Sequence, residues 1–200
     1  MKKIVLLLLI TSLSFSCSNK KEKTEVITET KEVVSKGKFK YTPAQTKLTW
    51  TAYKTPKKVG VSGTFDNIKV QGNKNSDNIE DVLTGATFVI NGLSVNSNND
   101  VRDPKLVKFF FKNLARPTFK GVFGEFKNGN VDVTLTFNDV ENVSAFKYTI
   151  QGNELKINGS IDILEDFNAK NAFNAIHEAC NQLHEGKTWT DVSIEVVTKM

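Results

Sequence analysis

Cysteine is almost missing from this sequence. Its 200 residues hold Cys17 and Cys180 and no other, which is too few for a disulfide framework. A domain without such staples must hold together through its core. The stretch from Lys38 to Met200 is long enough, because a domain of that size buries about 68–70% of its unfolded surface. Histidine is equally scarce, with His177 and His184 as the pair present. No apolar run reaches the roughly 20 residues that cross a bilayer as a helix. No serine sits in a nucleophile elbow, and no glycine-rich loop offers a phosphate cradle. Cys180 and His177 stand three apart on one helical stretch, a spacing that rarely aims a thiol at its base. The chain therefore reads as a non-enzyme with no cofactor. Lysines are scattered and no arginine/aromatic stripe is present, so a nucleic-acid partner is not expected.

What is present begins with "MKKIVLLLLITSLSFSC". Two lysines, an apolar run from Ile4 to Ile10 and a zone of small and hydroxyl residues have the layout of a signal peptide, expected over residues 1–16. Leu13 and Ser16 ahead of Cys17 resemble the lipobox of bacterial lipoproteins, with Phe15 departing from the usual pattern. The expectation is cleavage before Cys17, acylation of Cys17, and a lipid-anchored protein of the cell envelope that faces the periplasm or the exterior. Each buried lipid methylene adds about 0.8 kcal/mol to such an anchor. The alternative is a soluble secreted protein cut near Ser16. Losing Lys2 and Lys3, and no acid, lowers the formal net charge from +5 to +3. Residues 17–37 are rich in Lys, Glu, Ser and Thr without an aromatic, and read as a flexible tether with a reach on the order of 25 Å.

From Phe39 onward the apolar period becomes two. "KLTWTAYKT" places Leu48, Trp50 and Ala52 on one face. "NVDVTLTF" does the same with Val131, Val133, Leu135 and Phe137, and "SAFKYTIQ" with Phe146, Tyr148 and Ile150. Such alternation marks half-buried antiparallel strands. "KNGN" and "QGNE" are hairpin turns, since Asn and Gly tolerate positive φ. About eight strands follow, and closing them into a barrel hides their edges. Such a barrel is filled by side chains or holds one small ligand. Gly63, Gly121 and Gly159 fall on the inward register, where they thin the lining or let strands bend. Of 14 phenylalanines in the chain, most lie on apolar faces, which suits an elongated hydrocarbon.

Two segments break the strand pattern. In "RDPKLVKFFFKNL", Asp103 is an expected N-cap and Pro104 an expected first helical residue. Leu106, Phe109, Phe110 and Leu114 follow at helical spacing, so a helix near 103–115 is expected across one mouth of the barrel. In "DFNAKNAFNAIHEACNQLHEGKTW", Asp166 is an expected cap. Phe173, Ile176, Cys180 and Leu183 make a helical stripe near 166–185 that ends at Gly186. His177, Cys180 and His184 share a face of it. Imidazole and thiolate could bind Zn²⁺ or Cu, but no fourth ligand is indicated and a free cysteine is more often a small buried hydrophobe. No metal is expected.

"LTWTAYKTPKKVGVSGTFDNIKV", "LSVNSNNDVRDPKLVKFFF" and "TWTDVSIEVVTK" resemble the YceI-like family of exported lipid-binding proteins, over residues 38–200. The resemblance implies a lipocalin-like antiparallel barrel around a polyisoprenoid or similar amphiphilic chain. The segment from Leu164 to Gly186 departs from it as a long helical insert. The fold expected is all-β with short helices: an eight-stranded antiparallel lipocalin-like barrel. Trp50, Phe65, Phe88, Phe119, Phe137 and Phe146 are the expected wall residues, and Phe109 and Phe110 the expected cap. A polar head would rest near Lys54 or Arg102. The alternative is a structural or stress-related envelope lipoprotein with a filled core and no ligand. Oligomeric state stays open, a homodimer being one option.

Overall fold

The computed structural model describes residues 36–200. The expected leader, Cys17 and nearly all of the tether lie outside the described residues. Ten strands form one antiparallel sheet: β1 (Thr46–Lys54), β2 (Val59–Phe65), β3 (Ile68–Gln71), β4 (Thr87–Asn91), β5 (Val95–Asn96), β6 (Thr118–Lys127), β7 (Asn130–Phe137), β8 (Val140–Gln151), β9 (Glu154–Asp162) and β10 (Thr188–Lys199). Three helices interrupt them: α1 (Ile79–Leu83), α2 (Arg102–Phe109) and α3 (Lys170–Cys180).

Ten strands replace the expected eight because two expected strands are broken. Asp66 and Asn67 separate β2 from β3, and a 3-10 turn at Gly92–Ser94 separates β4 from β5. The sheet order is β3-β4-β6-β7-β8-β9-β10-β1-β2-β5. Its two ends are joined through the chain, since β2 runs on into β3 and β4 into β5. The sheet therefore curls back on itself. β1 closes against β10 with Trp50 opposite Ile194 and Leu48 opposite Val196. The shortest pairing is between β2 and β5, where Thr64 meets Asn96 and Phe65 meets Val95.

The hairpins follow turn chemistry. Asn128 and Gly129 both have positive φ, as do Asn138 and Asp139, which matches the right-handed twist of the flanking strands. Between β8 and β9 the left-handed residue is Gly152. Between Phe123 and Phe126 the β6–β7 register shifts by a bulge. The extra residue returns Phe126 to the apolar interior, where it is 4% exposed.

Both helical segments are shorter than expected. α2 starts at Arg102, with Val101 at the N-cap position and no side-chain cap bond from it. Asn99 does the capping instead: its Oδ1 accepts from the Val101 and Arg102 amides at 3.2 and 2.8 Å. Asp103 turns back to accept from the Ser97 amide and hydroxyl at 3.0 and 2.5 Å. The α-helix stops at Phe109, and a 3-10 turn at Phe111–Asn113 follows. Asp166 is not a cap either. Its Oδ2 accepts from the Asp162 amide at 2.8 Å and closes the turn that leads into α3. Burial pushes the Asp162 carboxyl up, but bonds from the Thr190 hydroxyl and the Glu165 and Leu164 amides outweigh it and hold the group below its ordinary value. After α3 a 3-10 turn at Gln182–His184 leads to Glu185 and Gly186, both at positive φ.

Candidate functional site

Two apolar clusters form inside the curled sheet. One gathers Ile79 and Leu83 of α1 with Phe126, Tyr148 and Leu155. The Tyr148 hydroxyl donates to a Glu80 carboxylate oxygen of α1, and burial, then this contact, raises the Tyr148 pKa. The other cluster gathers Trp50, Phe111, Leu114, Phe137 and Phe167. A cavity of about 810 Å³ is lined by residues of both clusters. That lies within the roughly 300–1,000 Å³ of sites that enclose small molecules.

Trp50, Phe65, Phe88, Phe119, Phe137 and Phe146 all line this cavity, and so does Phe110. Phe109 does not. Three consecutive phenylalanines cannot all share one helical stripe. The switch to a 3-10 turn after Phe109 instead brings Phe111 inward, where it is 6% exposed. Phe111 packs edge-on to Phe65 and Phe110 at 5.8 and 5.2 Å between centroids. Phe119 stands 4.7 Å from Phe137. Such pairs contribute about 0.5–1.5 kcal/mol each beyond their buried area, so this end of the cavity is a firm aromatic wall. Sequence reasoning missed Phe111 and the aliphatic lining of Leu135, Ile161 and Ile194. The period-two pattern already carried the latter signal.

The inward glycines have a specific role. Each lies against an aromatic ring, and none of the three has positive φ. A Cβ on Gly121 would lie 2.2 Å from Phe88, its cross-strand partner. A Cβ on Gly63 would lie 2.4 Å from the Trp50 ring, and one on Gly159 2.2 Å from Phe146. The rings lie down over the glycines and leave the middle of the interior open. Trp50 is fixed further by its Nε1, which donates to the Thr64 carbonyl at 3.1 Å.

Polar residues of the lining include Tyr53, Lys54, Asn99, Arg102, Lys105, His184 and Thr188. They come from the end of β1, the start of α2, the turn after α3 and the start of β10. This marks one end of the cavity as a polar mouth. Arg102 donates to the Ser97 hydroxyl at 3.2 Å. His177 and His184 each place Nδ1 against the Thr188 hydroxyl, at 3.0 and 2.9 Å. Burial, then the charge of Lys54 and the proximity of His177, hold His184 below its ordinary pKa. Cys180 is a free, buried thiol in the apolar lining. Among the described residues no group of three or more His, Cys, Asp or Glu is placed to hold a metal ion.

A model of the YceI-like domain matches residues 39–200. No curated protein matches the chain. Among solved structures, a polyisoprenoid binding domain from Saccharophagus degradans implicated in plant cell wall breakdown is similar at 17% identity and a TM-score of 0.53, covering 76% of this chain and 91% of that one. Burkholderia cenocepacia BcnA is similar at 15% identity and a TM-score of 0.53, covering 80% and 99%. A Campylobacter jejuni YCEI protein is similar at 18% identity and a TM-score of 0.53, covering 71% and 85%. At these identities the structural likeness speaks to the fold, which is all-β with a curled antiparallel sheet and a few short helices. The family match spans most of the chain, from the first bridged residue to the last strand, and the chain belongs to the YceI-like domain family.

Proposed function

We propose that this protein is a lipid-anchored envelope protein whose barrel-like sheet binds one elongated apolar or amphiphilic chain, such as a polyisoprenoid or a fatty chain. The observation that carries the reading is the cavity of about 810 Å³, lined by Trp50, Phe65, Phe88, Phe119, Phe137 and Phe146. A filled core would leave no such space. One similar structure is described as a polyisoprenoid binding domain, which supports the same ligand class. Binding comes from removing hydrocarbon from water, at about 25 cal/mol per Å² of apolar surface. Aromatic and aliphatic side chains dominate the lining, which favours binding over catalysis.

The anchor rests on the sequence alone. Cys17 is the acylated residue in this reading, and residues 17–37 tether the domain to a membrane of the cell envelope, facing the periplasm or the exterior.

The test is to purify the protein from native membranes, extract it with organic solvent and identify bound lipid by mass spectrometry. A stoichiometric long-chain amphiphile is expected. Recovery of none, both from native membranes and after incubation with isoprenoids, would favour a ligand-free structural lipoprotein. Cys17→Ala is expected to move the protein from the membrane fraction to the soluble fraction; unchanged membrane association would refute the anchor.

A further inference from the structure

The charged residues that line the cavity are Lys54, Arg102, Lys105 and Asp66. Three are cations and one is an acid. Asp66 sits at the break between β2 and β3, where its Oδ1 accepts from the Asn96 amide group at 3.0 Å. Lys54 pairs with Val59, at the opposite end of β2, roughly 20 Å along the strand from Asp66. The ion pairs among the described residues are Lys58–Asp191, Arg116–Asp139 and Lys156–Glu195. None of the three cations of the lining takes part in one. Arg102 and Lys105 stand three apart on α2, on one face of that helix. Lys54 comes from β1, close enough to the mouth for its charge to act on His184. All three are partly buried. Arg102 reaches the Asp103 carboxylate through the Ser97 hydroxyl they share, whereas Lys54 and Lys105 lose hydration without an ion pair in return.

We propose that the chain-like ligand carries an anionic head, a carboxylate or a phosphate, held at the mouth of the cavity by Lys54, Arg102 and Lys105. This rests on the chain-binding reading above and adds the chemistry of the head. The tail takes the apolar lining and the head takes the cations. Arg102 spends one Nη1 donor on Ser97, and its remaining donors are open to an anion. The Lys54 and Lys105 ammonium groups supply further point charges. A neutral head would leave Lys54 and Lys105 uncompensated, so the site discriminates by charge where the tail alone cannot.

The experiment uses the delipidated full chain and four ligands with one tail: hexadecanoate, hexadecyl phosphate, hexadecanol and hexadecyltrimethylammonium. Affinity is read by calorimetry and by the intrinsic fluorescence of Trp50 and Trp189, both of which line the cavity. Both anions are expected to bind about tenfold or more tighter than hexadecanol, as one charge-assisted contact gives, and the cationic ligand is expected to bind more weakly than hexadecanol. The Lys54→Gln/Arg102→Gln/Lys105→Gln variant should lose the preference and keep its affinity for hexadecanol, which also reports that it is folded. Hexadecanol binding as tightly as the anions, or a triple variant that keeps the preference, overturns the anionic head and leaves the chain-binding reading standing. Failure of all four ligands to bind overturns both.

Discussion

Replacing the inward glycines with alanine tests whether they exist to seat aromatic rings. At Gly121 the new Cβ would lie 2.2, 2.7 and 2.9 Å from three ring carbons of Phe88. At Gly159 its three nearest atoms would all belong to the Phe146 ring, from 2.2 Å outward. At Gly63 it would meet the Trp50 ring at 2.4 Å and the Asn96 backbone carbonyl at 2.7 Å. A ring beside an open cavity can turn away, whereas a backbone carbonyl in the β2–β5 pairing cannot. Overpacking costs about 1–3 kcal/mol, with off-rotamer strain of about 0.5–1.5 kcal/mol inside that figure. Gly121→Ala and Gly159→Ala should each lose about 1–3 kcal/mol by urea unfolding, and Gly63→Ala more than either. The displaced rings have the cavity to move into, so affinity for a long-chain probe should fall in all three. Gly121→Ala combined with Phe88→Leu removes the ring and should recover both stability and binding. Alanine variants that unfold at the wild-type urea concentration and bind normally would refute the ring-seat account, and strand bending would then be the better explanation.

Three further outcomes follow from the same structure. Across saturated fatty acids of rising length, affinity should rise about fourfold per methylene, since each contributes about 0.8 kcal/mol, and then level off when the cavity is full; a flat series by calorimetry would mean that tails bind outside it. Thr55 is a β-branched residue at φ 62 with a buried hydroxyl that has no partner, so Thr55→Gly should stabilise the fold by about 1 kcal/mol in urea titrations as left-handed strain is relieved; a loss of stability would contradict that. His184 is held below its ordinary pKa by burial first and then by Lys54 and His177. The unfolded chain therefore takes up that proton first as pH falls, so this stability is present above about pH 6.5 and is lost as pH drops through the lower folded value. Thermal unfolding at roughly pH 7.5 and pH 5 should show a smaller acid loss for His184→Gln than for wild type, and identical losses would rule out the histidine as a contributor.

The inward face was largely legible, because period-two alternation depends on little besides burial. Leu48, Trp50, Ala52, Phe88, Ile90, Leu135, Val192, Ile194 and Val196 all reach the cavity as the pattern requires. Registers that change phase were not legible. Phe65 and Ile68 are three apart and both reach the cavity, which demands the break at Asp66–Asn67. Phe123 and Phe126 are also three apart, and the β6 bulge lies between them. In each case the odd spacing of two apolar residues was the available signal. Helix ends were lost for another reason. Asp103 and Asp166 look like caps, but each finds a better donor across its own loop, Ser97 for one and Asp162 for the other. The cations of the lining come from β1 and α2, far apart in the chain, and no spacing along it announces that they line one cavity.

β5 contributes only two residues to the wall, opposite Thr64 and Phe65. A garment sewn firmly on most sides but basted at one hem gives way at the hem. Transient opening starts where pairing is thinnest, so amide protons of Val95 and Asn96 should exchange ahead of those deep in β10. The girth of a guest able to slip in is then governed by how far that hem parts beside α2, and not by the resting width of the rim.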